Sequence, residues 1–254
     1  MISIFGSTGF IGYNWMKMYP SFSYAEERDS IISKYRDILY LRGTNSNYNI
    51  FSDPSKDIRD NLLLFTETLK NLKSNNNFIL ISSWFVFYPK GFYSITKLCQ
   101  EQLLQSYCQT FHIPYKILRL SNVIGKDAKA SAKKNALEYM IGKIKNNEDI
   151  ELYEGDNYRN FLDAETACKA IKFVMEKGRN GEIYNIGASQ SYRIGDLLEY
   201  CIKKTNSKSK IKIIKTPEFH KQVQIKDFWM ETHKLRILGF DNNINIYDKL
   251  DKIL

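Results

Sequence analysis

The chain opens Met1-Ile2-Ser3-Ile4-Phe5-Gly6-Ser7-Thr8-Gly9-Phe10-Ile11-Gly12. Met1 to Phe5 reads as a strand, the glycines fall at a G-x-x-G-x-x-G spacing, and Gly12 to Met18 reads as an apolar helix. A strand that turns through glycines into a helix is a nucleotide-binding unit with a physical logic. The first glycine permits the tight turn, the second lets the backbone approach a pyrophosphate, and the third allows close helix–strand packing. The helix N-terminus adds oriented N–H donors and partial positive charge. Gly6, Ser7, Thr8, Gly9, Phe10, Ile11 and Gly12 are therefore the candidate dinucleotide loop. A merely structural turn is the competing reading, and the position directly after the first strand argues against it.

Working outward, strand-like runs alternate with longer amphipathic stretches, the pattern of an open α/β sheet with crossover helices. Phe22 to Tyr24 and Asp37 to Leu41 read as strands, and Asp57 to Leu72 as a helix with Ile58, Leu62, Phe65 and Leu69 on its apolar face. Strand Phe78 to Ser82, helix Tyr93 to Phe111 and strand Tyr115 to Leu120 follow. Beyond them come a Lys-rich loop at 126–134, helices at 135–146 and 163–177, strands at 150–153 and Ile183 to Ile186, and helix Ile194 to Lys203. The last fifty residues read as a small strand-and-helix cap.

In nucleotide-binding sheets an acid at the end of the second strand binds the adenosine ribose, and an arginine there accommodates a 2′-phosphate. Glu26 and Glu27 lie about 20 residues after the first glycine, the expected offset, and Arg28 follows at once. The choice between NAD and NADP therefore stays open, as does the reading of these residues as solvated turn charges.

Tyr93-Ser94-Ile95-Thr96-Lys97 puts a phenol and an ammonium on one face at the start of a helix. The cation is expected to favour phenolate and bring the phenol toward a pKa useful for acid–base work. Upstream, Phe78-Ile79-Leu80-Ile81 runs into Ser82-Ser83. That places a hydroxyl at the C-terminal end of a parallel strand, where ligands bind in open α/β sheets.

The N-terminal glycine loop, ILISSWFVF, YSITK and ILRLSNVIG together resemble the extended short-chain dehydrogenase/reductases, specifically the NAD-dependent epimerase/dehydratase family. Arg159-Asn160-Phe161-Leu162-Asp163 and Glu182-Ile183-Tyr184-Asn185-Ile186-Gly187 resemble two further family segments. The resemblance implies an α/β fold: a Rossmann-type doubly wound parallel sheet with a small C-terminal α/β substrate-binding lobe. The dinucleotide core would span 1–123 with returning segments at roughly 155–187, and the lobe would lie mainly in 124–254.

The resemblance also implies a nucleotide-diphosphate sugar as substrate and NAD or NADP as cofactor, in a setting such as polysaccharide biosynthesis. It implies Tyr93 as proton carrier and Ser83, with Ser82 as fallback, as the hydroxyl that holds the reacting oxygen. Lys97 would contact the nicotinamide ribose, Leu41 would lie beside the cofactor, Asn122 would approach the substrate, and Arg159 would pair with its diphosphate. Lys126, Lys129, Lys133 and Lys134 would add phosphate contacts or form a solvated face. Helices 57–72 and 93–111 resemble those through which relatives form homodimers.

Three departures stand out. Trp84-Phe85 occupy the places where the 4,6-dehydratase branch carries Asp-Glu, so the agents for removing water are missing. The stretch from Gly12 to Arg36 is short, which trims the usual third strand, and Arg42 replaces a small residue, to meet either a cofactor phosphate or solvent. A C4 epimerase is the leading reading and a 4-keto-6-deoxysugar reductase the alternative. A cofactor-binding regulator without catalysis is the reading from a different class.

Composition agrees. Lys+Arg 37 against Asp+Glu 28 gives a net charge of +9, suited to an anionic partner, and 43% hydrophobic residues suit a globular chain. No apolar run approaches the roughly 20 residues of a membrane helix, and no basic segment precedes the first apolar run, so a cytoplasmic protein is expected. A nucleic-acid partner is disfavoured for want of a recognised motif. Cys99, Cys108, Cys168 and Cys201, with His112, His220 and His233, show neither metal-ligand spacing nor a disulfide pattern.

Overall fold

Strands buried on both faces need apolar side chains in both directions, and the central strands of this chain have them. In the computed structural model, which describes residues 1–125, 135–155, 157–224 and 227–254, six strands form one parallel sheet in the order β2-β1-β3-β4-β5-β9. They are β1 Ile2–Phe5, β2 Ser23–Ala25, β3 Asp37–Tyr40, β4 Asn77–Ser83, β5 Tyr115–Leu120 and β9 Glu182–Ile186. The period of two sorts their side chains. Ile4, Leu39, Ile79 and Leu118 pack on one face with Trp15 and Ile171, from helices α1 (Phe10–Met18) and α6 (Ala164–Lys177). Phe5, Ile38, Tyr40, Phe78, Leu80 and Ile117 pack on the other with Phe65 and Leu104, from α3 (Leu64–Lys70) and α4 (Phe92–Thr110).

The chain leaves β1 for β2 on one side and returns to β3 on the other, so the order reverses between β1 and β3. Ligands bind at such a switch point in open α/β sheets. β2 is the sheet's edge, in keeping with the short spacing read from the sequence. The segment after it is closed locally: the Glu26 carboxylate accepts the Lys34 N–H at 2.7 Å, and Arg42 donates to the carbonyls of Ser30 at 2.7 Å and Glu27 at 3.0 Å.

A second packing centre holds Ile124, Leu137, Ile141, Ile144, Phe161, Leu197, Leu198, Ile246 and Leu250. Its elements are α5 (Ala136–Lys145), α7 (Ile194–Thr205) and α10 (Ile246–Ile253), with strands β6 (Asn122–Ile124), β8 (Tyr158–Asp163) and β10 (Ser191–Arg193) in a small sheet. β7 (Ile150–Tyr153) pairs with β11 (Ile211–Ile214). All four cysteines are free thiols, and no helix among the described residues is long and apolar enough to cross a membrane.

One expectation needs correcting. The segment predicted as a single helix with Ile58 and Leu62 inward is α2 (Ser55–Ile58), a π turn over Arg59–Leu63, and α3. Its buried stripe is Asp57, Asn61, Phe65, Thr68 and Leu69, whereas Ile58 is 43% exposed. Hydrogen bonds made by Asp57 and Asn61 to Thr44 outweigh the apolar preference at that end.

The turn Asn47–Phe51 is clasped to α8 (Glu218–Val223) and β7. His220 Nε2 meets the hydroxyls of Tyr48 and, at 3.1 Å, Tyr153, while Gln224 Nε2 lies 2.9 Å from Nδ1. Burial lowers the His220 pKa below its ordinary 6.5. The folded state therefore prefers neutral imidazole: the clasp's contribution is present above 6.5 and is lost as pH falls through that value toward the folded pKa. We expect the stability advantage of the wild type over His220→Gln to shrink below pH 6.5 in melting curves. Parallel curves through that range would contradict it.

Candidate active site

The three glycines of the first loop are needed for different reasons. Gly6 sits at φ +89°, and a Cβ there would come 2.9 Å from the Arg42 nitrogen. A Cβ on Gly12 would lie 2.2 Å from the Gly6 carbonyl oxygen. Those two let the loop fold onto itself and onto the turn after β3. Gly9 is exposed, and a Cβ there would meet only the Gly6 oxygen, at 3.4 Å. The protein's own packing makes little demand for glycine at this place. A group approaching the backbone from outside would make that demand.

Gly9 is the N-cap of α1, whose first turn carries no acidic residue. Its leading N–H groups have no intrahelical acceptors, so this end suits an anion. Ser7, Thr8, Phe10 and Ile11 complete the loop, and Leu41, half-buried, donates its N–H to the Phe5 carbonyl at 2.8 Å across from it. The Glu26 N–H bonds to the Ile4 carbonyl at 3.0 Å, which sets Glu26 at the end of β2, and Arg28 is exposed nearby. Arg42 does not simply point to solvent. It buttresses the 27–30 loop, with its guanidinium 5.1 Å from the Phe5 ring centre.

Ser82 and Ser83 end β4 and are divided by geometry. The Ser82 hydroxyl donates at 2.5 Å to Glu101, which is 1% exposed and forked by Arg119, whose Nη2 lies 2.6 Å from Oε2 and Nε 3.0 Å from Oε1. Ser83 accepts the Phe85 N–H at 3.3 Å, and its hydroxyl acts on the Tyr93 phenol to favour the ionised form. Ser83, Tyr93 and Lys97 are thus brought together, and Ser82 is committed elsewhere. The first half of α4 buries polar residues, Tyr93, Thr96, Lys97, Gln100 and Glu101, and the second half buries Leu104 and Cys108. A helix that spends two turns of buried surface on polar groups has a site above it.

Lys97 Nζ donates to the Ile81 carbonyl at 3.4 Å, and a Cβ on Gly43 would lie 3.2 Å from it. Burial pushes the Tyr93 phenol up to about 12, with the Ser83 hydrogen bond pulling down and the Asp57 charge pushing up. Burial pushes the Lys97 ammonium down to about 8, against the pull of Glu101. The expected lowering of Tyr93 by Lys97 is therefore not what this structure has. Both groups lie out of water, and burial is the largest cause of each shift, holding Tyr93 and Lys97 alike away from the charged form.

Trp84 stacks on Phe85 at 4.2 Å and packs tilted against Phe228 at 4.5 Å, and Phe85 meets the Tyr93 ring edge-on at 5.8 Å. Arg159 lies 5.8 Å from the Trp84 ring centre, donates to the Tyr158 carbonyl at 2.8 Å, and is pushed down to about 10 by burial, against the pull of Asp227. An aromatic wall therefore runs from Tyr93 to Arg159. Asn122 ties β6 to β8 through the Asn160 carbonyl at 3.0 Å. Lys126, Lys129, Lys133 and Lys134 lie outside the described residues.

Sequence reasoning missed Asp57, Asn61, Thr44, Glu101 and Arg119. The one signal was polar residues on a helical stripe that continues into Phe65 and Leu69.

The profile of the NAD dependent epimerase/dehydratase family matches residues 49–187. A trifunctional UDP-glucose 4,6-dehydratase/UDP-4-keto-6-deoxy-D-glucose 3,5-epimerase/UDP-4-keto-L-rhamnose-reductase of Arabidopsis thaliana is 27% identical over 171 residues, 65% of this chain and 24% of the relative. The dTDP-D-glucose 4,6-dehydratase of Homo sapiens is 32% identical over 127 residues, 48% of this chain and 35% of the relative. The chain thus spans about a quarter to a third of the length of these two relatives. Among solved structures, RMD from Pseudomonas aeruginosa complexed with NADPH superposes with a TM-score of 0.84 at 19% identity, covering 100% of this chain and 98% of that one. A UDP-glucuronic acid 4-epimerase from Bacillus cereus in complex with UDP-glucuronic acid and NAD gives 0.85 at 18%, covering 99% and 98%. These structures share the fold.

Proposed function

The chain belongs to the NAD dependent epimerase/dehydratase family, and from that premise we propose that it transfers a hydride at a sugar carbon of a nucleotide-diphosphate sugar, as a C4 epimerase. The observation that carries this reading is the meeting of Ser83, Tyr93 and Lys97 at the end of β4, at the same end of the sheet as the glycine loop. NAD or NADP fits that loop, because Gly9 is open where a pyrophosphate would approach. The cofactor would accept and return the hydride. Gly6 to Gly12 and the start of α1 hold its pyrophosphate, Leu41 lies beside it, and Glu26 and Arg28 select at the adenosine end.

Tyr93 takes the proton from the sugar hydroxyl and gives it back, Ser83 holds that oxygen, and Lys97 binds the nicotinamide ribose. Arg159, at the far end of the aromatic wall, pairs with the substrate diphosphate, and Asn122 approaches the sugar. Although both relatives named above are dehydratases in whole or part, the Trp84–Phe85 wall has no carboxylate to eliminate water.

A second reading, reduction of a nucleotide 4-keto-6-deoxysugar, is favoured by the Tyr93 phenol, which burial keeps protonated and ready to donate. One experiment separates the two. Purified protein is incubated with UDP-sugars and no added cofactor, and inversion at C4 is followed by proton NMR; a parallel sample receives NADPH and a 4-keto-6-deoxysugar nucleotide. Inversion supports the epimerase and NADPH consumption the reductase, and silence in both would remove hydride transfer to nucleotide sugars.

The loop itself makes a sharper prediction. Gly9→Val should leave the melting temperature within about 2 °C, since a Cβ there makes only an ordinary contact with the Gly6 carbonyl oxygen, at 3.4 Å. Dinucleotide affinity should fall at least tenfold in a fluorescence titration. Unchanged affinity would mean that the loop is only a structural turn.

A further inference from the structure

Asp57 in α2 is completely buried. Its Oδ1 accepts the Thr44 hydroxyl and, at 3.1 Å, Asn49 Nδ2–H, while Oδ2 has no hydrogen-bond partner. Among the described residues it forms no ion pair. A buried carboxylate with one oxygen unsatisfied is costly, and such a group calls for an explanation.

Its surroundings supply one. Thr44 follows Gly43, which adopts φ +141° and approaches the Lys97 ammonium. Asn61 grips the same turn, accepting the Thr44 N–H at 2.8 Å and donating to Thr44 Oγ1 at 2.8 Å and Thr96 Oγ1 at 2.9 Å. Asp57 and Asn61 therefore clamp the Gly43–Thr44 turn, and Lys97 approaches it from α4. α2 packs on α4, and the Asp57 charge acts on Tyr93 against its ionisation. Among the described residues, Lys97 and Glu101 on α4 and Arg119 on β5 also bring charge to the site, with Arg119 engaged by Glu101, and Arg159 lies at the far end of the aromatic wall.

We propose that Asp57 is a positioning residue: it fixes the Gly43–Thr44 turn against Lys97 and, from α2 packed on α4, shapes the surroundings in which Tyr93 exchanges a proton with the substrate oxygen. This rests on the hydride-transfer reading above. In the reducing half of that reaction the carbonyl carbon would gain a hydride from the reduced nicotinamide, which would leave oxidised, and the carbonyl oxygen would gain the phenolic proton of Tyr93.

The test begins without turnover. 3,5-Difluorotyrosine is placed at position 93 and its ionisation followed by ¹⁹F NMR in the substrate-free protein. Asp57→Asn should move that titration to lower pH by about half a unit or more. An unmoved titration overturns the electrostatic half of the proposal, whatever the enzyme's substrate. Thr44→Val, which removes the hydroxyl but keeps Asp57, should leave the titration in place and lower kcat for the hydride-transfer reaction that the wild type shows about tenfold, with KM within about twofold. If Thr44→Val keeps full kcat, the positioning half is wrong. Should Asp57→Asn fail to fold, Asp57→Glu takes its place and should keep the titration near the wild-type pH; a shift as large as half a unit to lower pH would count against the proposal. If the wild type turns over neither class of substrate, the functional reading fails while the NMR titration still reports on Asp57.

Discussion

Tyr93→Phe is expected to lower kcat by about 10²–10⁴-fold while dinucleotide affinity and melting temperature stay close to wild type. The ring fits unchanged, since its edge-on contact with Phe85 does not involve the hydroxyl. What is lost is one oxygen, which is under the influence of the Ser83 hydroxyl and resists ionisation in a desolvated place. No neighbour can replace it: the Ser82 hydroxyl is spent on Glu101, and Lys97, pushed down to about 8, sits against the Ile81 carbonyl. Steady-state kinetics beside calorimetry decide the matter. Turnover within tenfold of wild type would move the proton chemistry to another residue.

Glu101→Ala should destabilise the fold by about 3 kcal/mol, the low end for breaking a buried ion pair because the Arg119 side chain keeps some contact with water. For a chain of this size that is a fall in melting temperature of roughly 6–12 °C. The reason is the loss of every acceptor in the network at once. Ser82 loses its 2.5 Å partner and Arg119 its forked one. Replacing both ends, Glu101→Leu with Arg119→Met, should recover a large part of the loss, since two apolar groups leave no buried charge unpaired. A single variant that melts within about 2 °C of wild type would show that the network adds little.

Much of this was legible beforehand because it depends on local rules. The glycine spacing at 6, 9 and 12, the all-apolar strand Phe78 to Ile81 and the Tyr93–Lys97 offset each follow from the geometry of one turn, strand or helix. The short stretch after Gly12 likewise forecast a sheet that ends at β2. What local rules missed were groups whose partners are distant in sequence. Asp57 reads as an ordinary helix surface residue until Thr44 and Asn49 are seen beside it, and Ile58 reads as core until the π turn and those hydrogen bonds turn it outward. Ser82 and Ser83 are equivalent as letters; they are separated by the period of two along β4, which aims one at Glu101 and the other at Tyr93.

The sequence by itself determined that this chain folds as a Rossmann-type sheet and that a phenol, an ammonium and a hydroxyl belong near one strand end, because strand period, helix period and glycine stereochemistry are properties of short segments. Only the tertiary structure decided the charge state of those groups. The four-residue spacing leads one to expect a phenol lowered by Lys97, but helix α4 against β4 removes both from water, and Asp57, brought in from α2, adds its push in the same direction as burial. Desolvation is a property of everything packed around an atom, and no spacing along a chain encodes it.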